Sequence, residues 1–168
     1  MKPRLEPGLF RSGFDLFCCC AAWLMIPKND TSFVDRTSTE ERETLEREWV
    51  EGNLVHRHEQ VRRFIGEQRA VIFQLAEDPR DAASFVAATR QLIATLRTVH
   101  HQSEMRDQMR EIYDEIWYCG QRGEFDTKQI TRDWVADHGS NWRRWRIKEY
   151  QFVAGHCGAE IDAAIHHA

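Results

Sequence analysis

Apolar residues recur every three or four positions along most of the chain, and no run shows sustained alternation, so the pattern predicts helices and no strands. The first long stripe is Leu45, Trp49, Leu54, Val61, Phe64, Ile65, Val71, Ile72 and Leu75. Ahead of it, Ser38-Thr39-Glu40-Glu41 has the form of a capping box: the serine hydroxyl accepts from the Glu41 amide while the Glu41 carboxylate reaches back. The spacing predicts one helix over 39–77, weakened by about 1 kcal/mol at each of Gly52 and Gly66, with Gly52 the natural place for a kink. Asp78 as N-cap and Pro79 as first helical residue open a second helix, 79–100, with Ala82, Phe85, Val86, Leu92, Ile93, Leu96 and Val99 on one face.

Ser103 caps a third helix over 103–119. It carries Met105, Met109, Ile112, Tyr113, Ile116 and Trp117, and Gly120 suits a left-handed stop. Breaks this short force neighbouring helices to run antiparallel. Asp126 and Ser140 then cap two shorter helices, 126–137 and 140–153. The expected fold is all-α: an antiparallel bundle of three main helices followed by a C-terminal helical hairpin. By domains, residues 1–37 read as an apolar segment with a polar linker, 38–158 as the bundle, and 159–168 as a tail of weak pattern.

Composition narrows the class. The chain has 168 residues, 42% hydrophobic and 30% charged, as in one soluble globular domain and unlike a disordered or polytopic membrane chain. A net charge of −4 argues against bulk electrostatic binding to nucleic acid and leaves room for a local basic patch. The 5 cysteines are odd in number, three of them consecutive at Cys18–Cys20, with no C-x-x-C, so a reducing, cytoplasmic setting is expected. Leu16 to Ile26 is the most apolar stretch, but too short to cross a bilayer about 30 Å thick. A secretory signal is disfavoured by Asp15 and by Pro27-Lys28-Asn29-Asp30, which follow without a small-residue cleavage site. Met25 is a candidate start, and the cysteines are candidates for acylation. Apolar surface here needs cover from the bundle, from another chain, or from peripheral membrane contact through residues 9–26.

Candidate chemistry is sparse. His56-x-x-Glu59 and His101-x-x-Glu104 each place an imidazole and a carboxylate on one helix face, which makes His56, Glu59, His101 and Glu104 a weak metal-ligand set. No H-E-x-x-H motif or phosphate-binding glycine loop is present, and His156-Cys157 adjacency does not make a dyad because neighbours on a helix diverge. No cofactor is predicted. The most distinctive stretch is Asn141-Trp142-Arg143-Arg144-Trp145-Arg146-Ile147-Lys148. Behind a short helix and a glycine-containing turn, it has the outline of a helix-turn-helix. Its Arg143, Arg144, Arg146 and Lys148 are candidate partner or nucleic-acid contacts. At about 100° per residue these four spread around the helix, whereas Trp142, Trp145, Phe152 and Val153 cluster toward a core. The arginines can equally pair with the acidic third helix, which carries Asp107, Glu111, Asp114 and Glu115.

The sequence therefore supports, first, a non-catalytic helical interaction module that self-associates or binds a protein partner, within a larger complex or at a membrane surface. The alternatives are a DNA-binding regulator using residues 126–153, and a metal-dependent enzyme of unknown reaction.

Overall fold

The computed structural model describes residues 37–166, and those residues form helices without strands. The all-α class matches the periodicity. The N-terminal apolar segment, its three cysteines and the membrane contact expected of residues 9–26 lie outside the described residues.

Helix α1 (Thr39–Val50) opens on the expected capping box: Glu41 N–H donates to Ser38 Oγ at 3.2 Å, and Ser38 N–H donates to Glu41 Oε2 at 2.9 Å. The helix stops where Gly52 takes a φ of 81°, a left-handed conformation that costs other L-residues energy. The Asn53 amide donates to Glu48 and Glu51 across the turn, and the chain restarts as α2 (Val55–Leu75). The single helix expected over 39–77 is thus two, divided at the glycine.

Helix α3 (Ala82–Leu96) begins later than its sequence signal. Asp78 accepts from Arg80 N–H in a turn, and Asp81 is the N-cap, accepting from Ser84 N–H at 2.8 Å. Helix α4 (His101–Gln121) is capped by His100, whose Nδ1 accepts from Ser103 N–H, so Ser103 lies inside the helix. Gly120 is helical, and the left-handed residue after α4 is Gly123, with φ of 86°. Helix α5 (Thr127–Asp137) starts at its expected cap, Asp126. Only His138 separates it from α6 (Gly139–Ala154), so α6 begins before Ser140. The weakly patterned tail forms α7 (Gly158–His166).

The core lies among α2, α3 and α6, which pack on one another, and α7, which packs on α2 and α3. Val61, Phe64, Ile65 and Ile72 of α2 meet Phe85, Leu92 and Ile93 of α3. Tyr150 and Val153 of α6 fill the centre, and Ile161 of α7 closes it. Leu45 joins from α1. Helix α4 contributes no residue to this cluster and packs chiefly on α5. The third place in the bundle, expected for 103–119, is taken by α6. The reason is visible in the composition of the two helices. The buried row of α6 is Ile147, Tyr150, Val153 and Ala154 beside Arg146, whereas that of α4 is only Glu104, Ile112 and Cys119.

Candidate functional site

Because α4 faces the core with few apolar side chains, polar contacts hold it. Glu104 Oε1 accepts from Thr98 Oγ1 at 2.7 Å and from Val99 N–H at 3.0 Å, closing the turn between α3 and α4. One turn further along, Asp107 meets Arg57 of α2 at 2.7 Å. The same guanidinium donates to Glu149 of α6 at 3.0 Å, and Arg146 donates to Glu149 at 2.9 Å. Arg146 lies 4.0 Å from Asp107 and stacks over Trp142. Four charged side chains from three helices thus share one site, each less than 15% exposed. Burial pushes the Glu149 carboxyl up to about 7, against the pull of Arg57.

An adjoining row of α4 is apolar and open. Met105, Met109, Tyr113 and Trp117 follow one another at intervals of four and are 52%, 38%, 53% and 60% exposed. Residues four apart lie one above another on a helix, so these side chains form a continuous stripe about 18 Å long. Trp117 is in edge contact with Tyr118, itself half exposed. Beside the stripe run Arg106, Arg110 and Asp114, all exposed and without an ion pair among the described residues. The periodicity identified the stripe, but on the sequence alone it reads as a core face.

The basic residues expected to act together are separated. Arg143 and Arg144 are exposed, Arg146 is buried in the charged cluster, and Lys148 makes a salt bridge to Glu41 of α1. Helix α6, which would have to enter a DNA groove, packs against α2, α3 and α5 and supplies central core residues. Trp145 and Phe152 pack partly buried against that core.

The two histidine–carboxylate pairs are not assembled into a metal centre. His56 and Glu59 are exposed, with Glu59 held by Arg62 at 2.8 Å. His101 is exposed while Glu104 is engaged in the interhelix turn.

No described thiol is activated for attack. Burial, reinforced by the nearby Glu160, pushes the Cys157 thiol up to about 12. Burial and a hydrogen bond to Glu115 raise that of Cys119. A cleft of about 380 Å³ is lined by Arg42, Glu46, Arg90, Lys148, Gln151 and His156 among others, with no cysteine or serine. Among the described residues no helix is long and apolar enough to cross a membrane. Comparison with protein-family models, with curated proteins and with solved structures returned no match.

Proposed function

We propose that the protein is a non-catalytic helical interaction module that self-associates through the outer face of α4. The observation carrying this reading is the Met105–Met109–Tyr113–Trp117 stripe, exposed on a helix that adds nothing to the main core cluster. Scattered apolar side chains are ordinary on a protein surface, but a continuous row on one helix has a partner to meet.

A second copy suits this row. In an antiparallel pairing centred between Met109 and Tyr113, each methionine comes opposite an aromatic ring: Met105 opposite Trp117 and Met109 opposite Tyr113. Methionine sulfur and aromatic rings attract favourably. The flank is self-complementary as well, because Arg106 and Arg110 stand toward one end of the helix and Asp114 toward the other. The same two-fold brings each aspartate between the two arginines of the other copy.

Charge exchange tests this arrangement. Asp114→Arg and the double variant Arg106→Asp/Arg110→Asp should each lose self-association at least tenfold while keeping the parent circular dichroism. Mixed together, they should form a one-to-one heterodimer by native mass spectrometry. Single variants that associate as tightly as the parent, or a mixture that stays monomeric, would refute it. Lowered thermal stability in a monomeric parent carrying charges on the stripe would instead assign the stripe to the chain's own apolar segment at 16–26.

A further inference from the structure

His58, Cys157 and Glu160 bring one imidazole nitrogen, one sulfur and one carboxylate oxygen within 4.8 Å of one another. We infer that these three side chains form a binding site for a zinc-type divalent cation, which pins the start of α7 to α2.

The placement follows from the fold. Cys157 immediately precedes α7, and Glu160 lies three residues on, so both face the same side at the first turn. His58 is in the first turn of α2, against which α7 packs. Cys157 is fully buried, and the other two are half-buried. Trp49 of α1 packs an edge against the His58 ring, at a centroid distance of 5.6 Å.

The donors are also uncommitted. Neither His58 nor Glu160 has a side-chain hydrogen bond or ion pair among the described residues. The nearby cation Arg62 is engaged by both oxygens of Glu59, at 2.8 and 3.0 Å. Cys157 makes only a long contact, Sγ to the Val153 carbonyl at 3.4 Å. A set of one nitrogen, one sulfur and one oxygen suits zinc better than the hard, all-oxygen cations. Ligand atoms about 3.5 Å apart are needed around tetrahedral zinc. Rotation of the half-buried His58 and Glu160 side chains supplies that contraction. On binding, the cation displaces the thiol proton to solvent, and a fourth position stays open to water.

The test uses the full chain with Cys18, Cys19 and Cys20 changed to serine, because those thiols would bind the same ions. Cobalt(II) titration of the chelator-treated protein should give a one-to-one sulfur-to-cobalt charge-transfer band that zinc abolishes. Cys157→Ser should remove the band, while Cys119→Ser and His56→Ala should keep it. His58→Ala and Glu160→Gln should each weaken cobalt binding at least tenfold. If Cys157→Ser does not fold, the latter two half-buried variants decide, and unchanged affinity in both overturns the site. Absence of the band in folded protein, or its survival in Cys157→Ser, overturns it too.

Discussion

Replacing Arg57 with alanine should release α4 from the body of the protein. Arg57 is the only side chain in direct hydrogen-bonded contact with both Asp107 of α4 and Glu149 of α6 among the described residues, at 2.7 and 3.0 Å. Breaking a buried pair from one side costs about 3–5 kcal/mol, because the remaining charge is left without compensation. Two features of the site reduce that figure. Glu149, with its carboxyl already pushed up to about 7, escapes by taking a proton. Asp107 retains Arg146, though at 4.0 Å. The expected loss is therefore about 2–3 kcal/mol, including the packing of the arginine stem. At about 3–4 °C per kcal/mol for a domain of this size, Tm falls by about 6–12 °C.

The loss should be uneven. Hydrogen exchange should accelerate in α4 before it does in α2, α3 or α6, since α4 has no residue in the main core cluster to hold it. Arg62→Ala, which removes an exposed ion pair with Glu59, is the control and should leave Tm unchanged. A fall of less than about 2 °C, with α4 protection intact, would show that the charged cluster does not anchor the helix.

Further outcomes follow from the same structure. The raised Glu149 carboxyl favours the folded state while protonated, so its contribution is complete below its unfolded value and is lost as pH rises through about 7. Urea midpoints of the parent should therefore fall as pH is raised from about 5 to about 8, and Glu149→Gln should flatten that slope; parallel curves would contradict the assignment. Gly66 lies exposed inside α2 with open space where a Cβ would be, so Gly66→Ala should stabilise by about 0.5–1 kcal/mol. Gly52, equally unobstructed but at φ of 81°, should lose about 1 kcal/mol on the same change. Equal thermal shifts for the two alanines would refute the backbone argument. Ile65 is 1% exposed, and Ile65→Asp should prevent cooperative unfolding, as a buried charge without a partner.

The parts of the fold legible in the sequence are those governed by local chemistry. Ser38 and Glu41 act within one turn, and Asp126 caps its helix where the residues indicate. Gly52 marks the break between α1 and α2, although propensity alone gives a weakened helix and only the observed left-handed φ gives a division. The bundle arrangement was less legible, because periodicity reveals an apolar face and not what covers it. Met105, Met109, Tyr113 and Trp117 have the spacing of a core stripe, and nothing local distinguishes a stripe facing its own core from one facing outward. The other row of α4 held the missing clue: Glu104 and Asp107 need polar partners, and while Glu104 finds them in the turn just before the helix, Asp107 finds Arg57 on α2, distant in sequence.

For the same reason, Arg146 separates from Arg143 and Arg144, because its destination depends on Asp107 and Glu149. Helix α7 is short, and only contact with α2 and α3 gives Ile161 and Ala164 their burial. That contact also brings Cys157 and Glu160 to His58, a juxtaposition across about a hundred residues that no spacing rule reveals.

Sedimentation equilibrium of the full chain, alongside Met109→Lys/Trp117→Lys, tests the role of α4 most directly. Both substituted side chains are exposed, so the variant should match the parent in helicity and within about 1 kcal/mol in stability. The parent should sediment as a dimer that dissociates on dilution, and the double lysine variant as a monomer throughout. A parent that is monomeric at every concentration, or a dimer that survives both lysines, would contradict the assignment of this face as the self-association surface.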